Sequence, residues 1–154
     1  MKKTKIAVES RSCDGCTKCC DGYLYGIAHG KRFLPGRPCH FKKESGCSIY
    51  ESRPENPCKN YQCAWLADKE KKFPEWMKPD VSNVICTYRT FGPDHRLFLE
   101  VVECGQKIDS TVLWWVMDFA NKSQIPIKVQ IGGGINYLGD DEFMKAVAGA
   151  TDCQ

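Results

Sequence analysis

The chain has 154 residues, enough for one domain or for a small core fused to a metal-stapled module. Hydrophobic residues make up 42% and charged residues 27%, as in ordinary water-soluble proteins, and no apolar run approaches the roughly 18 residues of a membrane span, so no membrane partner is expected. The net charge of +3 is unevenly spread: residues 1–80 carry 16 Lys/Arg against 10 Asp/Glu (16 − 10 = +6), and residues 81–154 carry 6 against 9 (6 − 9 = −3).

Lysines at 2, 3 and 5 look like the start of an export signal. Ile6-Ala7-Val8 is far too short an apolar stretch to complete one, and the expected compartment is a reducing cytoplasm. Structural disulfides are disfavoured there, and the 11 cysteines leave one unpaired in any full set of bridges. Eight of them fall between residues 13 and 63: Cys13, Cys16, Cys19, Cys20, Cys39, Cys47, Cys58 and Cys63. Thiols crowded this densely are gathered to be oxidised in pairs or to hold metal, and the compartment selects metal.

The surrounding segment reads as loop-rich. Glycines at 15, 22, 26, 30, 36 and 46 and prolines at 35, 38, 54 and 57 punctuate short apolar pieces, of which Tyr23-Leu24-Tyr25-Gly26-Ile27 fits a short strand. Asn56-Pro57 has the form of a helix start, a cap followed by proline at the first helical position. Good helix formers continue to about Lys72, where the charge run Asp68-Lys69-Glu70-Lys71-Lys72 reads as a solvated helical end. Phe73-Pro74 through Lys78-Pro79 breaks the chain. The expected organisation is a cysteine-rich metal-binding module over residues 1–80 and a small α+β region over 81–154 packed on it.

Past residue 80 the pattern changes. Val81 to Phe91 is rich in β-branched and aromatic residues, Gly92-Pro93-Asp94-His95 is a turn, and Leu97 to Cys104 is a second strand, which together predict a hairpin. Asp109 or Ser110 caps a helix to about Asn121, with Val112, Trp115, Val116, Phe119 and Ala120 on one face. Trp114 and Met117 widen that face, so both tryptophans are expected in the core. Ile125, Ile127, Val129 and Ile131 alternate with Pro126, Lys128 and Gln130, a half-buried strand whose proline points to a sheet edge. Gly132-Gly133-Gly134 lacks the spacing of a phosphate loop and reads as a hairpin turn. Asp140 caps a last short helix ending at Gly149. The fold class is α+β.

A Cys-x2-Cys unit lets two sulfurs approach one ion, because the intervening residues close a turn whose amides face the thiolates. Cys13, Cys16 and Cys19, at two-residue intervals, resemble the first three ligands of a ferredoxin-type [4Fe–4S] run, whose fourth ligand comes from elsewhere in the chain. Cys20 directly follows Cys19, and neighbouring side chains are expected to diverge, so either the two serve different sites or one of them stands outside the coordinating set. Zinc is the alternative: eight thiolates divide into two sets of four, and four sulfurs suit either zinc or iron–sulfur chemistry. Each four-thiolate site carries a net charge of about −2, so the surplus of lysine and arginine reads first as compensation and only second as a nucleic-acid footprint. Cys86 and Cys104 sit in strand-like runs and read as small buried hydrophobes, and Cys153 as a bland residue near the chain end. His40, His29 and His95 read as surface histidines, and Arg53 as closing a turn and pairing with Glu51 or Glu55. No serine–histidine–aspartate set, carboxylate pair or HExxH motif is present, so no catalytic residues are assigned.

The run Cys13-x2-Cys16-x2-Cys19-Cys20, with Arg37-Pro38-Cys39, then Cys47-Ser48-Ile49-Tyr50-Glu51-Ser52-Arg53-Pro54 and Cys58, resembles the CxxCxxCC cysteine-cluster family over residues 13–65. That family comprises the YkgJ-type proteins, described as zinc- or iron-chelating, and includes flagellin lysine N-methylases. Thr17 stands where many members have glycine. The resemblance implies metal chelation, with an iron–sulfur cluster in the methylase branch; a methyltransferase-related activity would follow from family association alone. The expectation is therefore a cytoplasmic protein carrying a [4Fe–4S] cluster, with an electron-transfer, redox-sensing or structural role and an unidentified protein partner. The alternative is a zinc-stabilised interaction module.

Overall fold

The structure, a computed structural model, describes residues 10–13 and 15–149. Cys153 and the segment weighed as an export signal lie outside them. The fold is α+β. Its centre is a four-stranded sheet with strand order β5-β6-β7-β8, formed by β5 (Val84–Phe91), β6 (Arg96–Glu103), β7 (Ile127–Ile131) and β8 (Gly134–Leu138). β5 and β6 form the expected antiparallel hairpin, with Cys86 opposite Val101 and Phe91 opposite Arg96.

Helix α3 (Ser110–Ser123) crosses from β6 to β7, and the two strands are therefore parallel, Leu99 opposite Ile127. The helix starts where a cap was expected: the Asp109 carboxylate accepts the Thr111 amide at 2.7 Å. Val112, Val116 and Ala120 face the sheet and pack with Val84, Cys86, Leu99, Val101, Ile127 and Val129 into the main core. Trp114 does not join them. It is 74% exposed, because at helical spacing it projects opposite to Val112 and Val116. Trp115 and Phe119 are half-buried, their rings stacked with centroids 5.1 Å apart.

β7 is an interior strand, contrary to the edge position its proline suggested. Pro126 precedes the ladder, so no amide is missed, and its carbonyl accepts the Leu99 amide at 2.9 Å. The edge belongs to β8, which alternation did not reveal because its five residues bury almost nothing. Gly132 and Gly133 make the tight turn into β8 with φ of 57° and 79°, the doubly left-handed backbone that such a turn demands. Asp140 then caps α4 (Asp141–Phe143), accepting the Phe143 amide at 2.9 Å. Phe143 seals a third cluster with Phe91 and Phe98.

The cysteine-bearing segment is built from much smaller pieces. Two hairpins, β1 (Gly26–Ala28) with β2 (Lys31–Phe33) and β3 (Lys42–Lys43) with β4 (Gly46–Cys47), are followed by isolated turns. The long helix expected after Asn56-Pro57 is absent. Asn56 is extended (φ −116°, ψ 127°), a single wide turn covers Glu55–Lys59, and a separate four-residue helix α1 (Ala64–Ala67) begins after Cys63. Asp68 ends it. Instead of a solvated helix end, Asp68 is buried, accepting the Phe73 amide at 2.6 Å and pairing with the equally buried Arg11 at 3.2 Å. Arg11 also donates to the carbonyls of Trp65 and Phe73 and to Glu75. That array fixes the chain just before Cys13.

The two regions share buried surface. Ala64, Trp65, Phe73 and Met77 enter the main core beneath α3. Leu24, Ala28 and Phe33 pack with Ile85 and Cys104 in a second cluster, fringed by Cys19, Cys39, Cys58 and Cys63. The Tyr61 hydroxyl meets that of buried Thr87 at 2.8 Å, joining the cysteine region to β5. No helix among the described residues is long and apolar enough to cross a membrane.

Candidate metal centre

All eight cysteines singled out in the sequence lie in the described part, and none is joined to another cysteine. Cys13 is exposed and the other seven are half-buried; Cys86 and Cys104 are buried in the cores, as expected of small hydrophobes.

The first three cysteines sit on consecutive turns. The Cys16 amide donates to the Cys13 carbonyl at 2.8 Å, and the Cys20 amide to the Thr17 carbonyl at 2.8 Å, which winds Lys18–Cys20 into one tight turn. The Thr17 hydroxyl bonds the Asp21 carboxylate at 3.1 Å, and Asp21 in turn holds Lys42 at 3.1 Å. The CxxCxxCC loop is thereby fastened to the β3–β4 hairpin that bears Cys47. Gly22 makes the next step possible. Its φ is 95°, and a Cβ there would stand 3.1 Å from the Pro38 nitrogen, so only glycine lets the chain pass this close. Beside that crossing the Cys39 amide donates to the Cys20 carbonyl at 3.0 Å.

Cys63 comes in from the far end of the segment. It directly precedes α1, and its carbonyl accepts the Ala67 amide at 3.0 Å. Burial raises the Cys63 thiol above its usual range, opposed by the amides of Leu66 and Trp65 facing its sulfur. Cys16 is likewise raised by burial and opposed by the amides of Lys18 and Asp80. Burial also raises Cys13, with Cys63 and Cys16 as neighbouring thiols, and Cys58, with Cys20, Cys39 and Cys47. Cys19 and Cys20 have their sulfurs 3.8 Å apart. Either sulfur can donate in this contact, and sharing its one proton pushes Cys19 up and Cys20 down.

Cations surround these sulfurs. The charge of Arg53 acts on Cys13, Cys20 and Cys58, that of Lys78 on Cys13 and Cys16, and that of Lys42, which pairs with Asp21, on Cys20, each favouring the thiolate. Arg53 departs from the acidic pairing expected of it. Its guanidinium lies 3.7 Å above the Tyr50 ring and donates to the Tyr50 carbonyl at 2.8 Å, while Glu55 pairs with Lys59. Sequence reasoning missed Arg53 and Lys78 as neighbours of the thiols; only the position of Arg53 between Cys47 and Cys58 hinted at it. His40 is exposed and meets Phe41 edge-on at 5.1 Å, and His29 bonds the Ser52 carbonyl at 3.0 Å.

The donor chemistry suits a thiophilic ion: free sulfurs, turn amides to receive their charge, and cations to offset it. The side chains themselves stand open, since among the described residues no three His, Cys, Asp or Glu groups are close enough to hold an ion as placed. No protein-family model, curated protein or solved structure matches the chain, so the resemblance carried by residues 13–65 rests on those motifs alone.

Proposed function

We propose that this chain is a metal–thiolate protein whose cysteines between residues 13 and 63 hold an iron–sulfur centre of the [4Fe–4S] type. The observation that supports it is the gathering of eight unbridged, mostly half-buried thiols onto short hydrogen-bonded turns, with Arg53, Lys42 and Lys78 near enough to lower thiol pKa values among them. An iron–sulfur cluster supplies reversible one-electron chemistry, which fits an electron-transfer, redox-sensing or structural role. Around it, the chain's own residues hold sulfur charge through the amides of Lys18, Asp80, Leu66 and Trp65, and restrict water with Tyr61, Phe41 and Leu24. Unbridged thiols suit a reducing, cytoplasmic setting. No reaction is assigned; an electron-transfer or redox-sensing role would call for a protein partner.

Zinc is the second reading. It is favoured by the absence of long elements in the cysteine region, where binding energy would become folding energy. Anaerobic purification followed by iron, zinc and acid-labile sulfide analysis separates the two. Brown protein with broad absorption at about 400 nm and matched iron and sulfide supports the cluster. Colourless protein with zinc transfers the assignment to zinc, and metal-free protein with its sulfurs joined as cystines overturns both. Cys16→Ser should lower metal content and Cys86→Ser should not; equal losses at both would refute the ligand assignment.

A further inference from the structure

The cysteines do not form one undivided crowd. Cys19 and Cys20 touch, and contact alone would fit a single site holding both. The backbone separates them. Cys20 is tied by its carbonyl to the Cys39 amide at 3.0 Å; the Cys39 carbonyl accepts the Lys42 amide at 3.0 Å; and Lys42 is the cross-strand partner of Cys47. The turn that carries Cys58 packs against β1, and Cys58 has Cys20, Cys39 and Cys47 as its thiol neighbours. On the other side, the Cys16 amide bonds the Cys13 carbonyl, and Cys63 returns from the start of α1 to lie beside both Cys13 and Cys16. Cys19 has Cys13 and Cys16 as its neighbours beyond Cys20.

Resting on the metal–thiolate reading above, we propose that the chain builds two adjoining four-sulfur centres. One takes Cys13, Cys16, Cys19 and Cys63; the other takes Cys20, Cys39, Cys47 and Cys58. Residues 19 and 20 are where the two meet: their sulfurs lie 3.8 Å apart, and metal binding would draw one into each centre. Charge accords with two: a divalent ion or [4Fe–4S]2+ core with four thiolates carries about −2, and two centres offset most of the +6 of residues 1–80. Arg53, beside Cys13 of one set and both Cys20 and Cys58 of the other, is placed to screen them from each other. The histidines are absent from both sets, so each ion is of a kind satisfied by sulfur alone.

The test is cobalt(II) titration of the full reduced chain after metal stripping, read by sulfur-to-cobalt charge-transfer absorption, alongside the metal content of the native protein. The expected result is a break at two equivalents per chain. Cys16→Ser and Cys47→Ser should each leave one equivalent, and the double variant none. A break at one equivalent in the unaltered chain, or the same single equivalent lost in both variants with nothing further lost in the double, overturns the division while leaving the metal reading intact. No cobalt binding by the unaltered chain, together with neither iron nor zinc in the native protein, overturns that reading itself. Should Cys16→Ser fail to fold, Cys13→Ser at the exposed position replaces it, and the stoichiometry of the unaltered chain remains decisive.

Discussion

The sheet region and the cysteine region are held by different means. Residues 84–143 have eight-residue strands, a fourteen-residue helix and side chains such as Leu99, Val101, Val116 and Phe143 at 0% exposure. Among the described residues from Cys13 to Cys63 the longest regular piece is a single five-residue turn, and the buried hydrophobic residues are only Leu24, Ala28 and Phe33. Area alone makes the contrast quantitative: a buried leucine or phenylalanine contributes about 1.5–3 kcal/mol, while ordering each residue costs about 1–2 kcal/mol of backbone entropy. The sheet region meets that cost by packing. The cysteine region cannot, and needs either its neighbour's core or an ion.

The largest effect expected from this contrast is on metal removal. Chelation of the native protein should release amide protection across residues 13–63 while α3 keeps its own, because structural metal in small thiolate sites is worth on the order of 10 kcal/mol of folding energy. Hydrogen exchange in which Ser110–Ser123 opens first would break the comparison. Next in size is Arg11→Ala. It leaves Asp68 buried with its charge uncompensated, and should cost about 3–5 kcal/mol in denaturant unfolding. A loss under about 1 kcal/mol would show that Asp68 finds water by itself, as a surface pair would.

A smaller and more local effect concerns Cys20 in the metal-free chain. Alkylation requires the thiolate, and Cys20 is the thiol lowered by its partner while Cys13, Cys16, Cys19, Cys58 and Cys63 are raised. Iodoacetamide at neutral pH should therefore label Cys20 first, and the preference should fade as pH climbs into the ordinary thiol range. Cys19→Ala should abolish the preference; peptide mapping that finds Cys16 or Cys63 labelled first would count against the Cys19–Cys20 hydrogen bond. The smallest effect belongs to Trp114→Ala. At 74% exposure its loss should change stability by no more than about 0.5 kcal/mol, and a larger change would mean that the outer face of α3 is covered in solution.

What could be read from the chain in advance follows the same divide. The β5–β6 hairpin, the Asp109 cap and the Gly132-Gly133 turn were legible because local chemistry decides them. Trp114 misled because its hydrophobicity argued for burial while its angular position argued against it. The solvated helix end anticipated at Asp68 failed because Asp68 is drawn away by Arg11, a partner 57 residues earlier that no window of local sequence contains. β8 carried no periodic signal because a strand at a solvated edge has nothing to bury. For the candidate centre, the inventory of sulfurs was plain, yet spacing gave no grouping. Which cysteine stands beside which depends on the Gly22 crossing, the Asp21–Lys42 pair and the return of Cys63, all of them contacts between distant segments.

One carboxylate in the sheet region has reach beyond its size. Glu103, the last residue of β6, accepts the Ile108 amide at 2.9 Å through one oxygen and the Gly132 amide at 3.1 Å through the other. The first clasp precedes α3 and the second follows β7, so the strand–helix–strand crossover is latched shut at its two ends by the same side chain. Neutralising or shortening that residue would unfasten both ends together, turning a closed loop of structure into one hinged only by its hydrophobic seam.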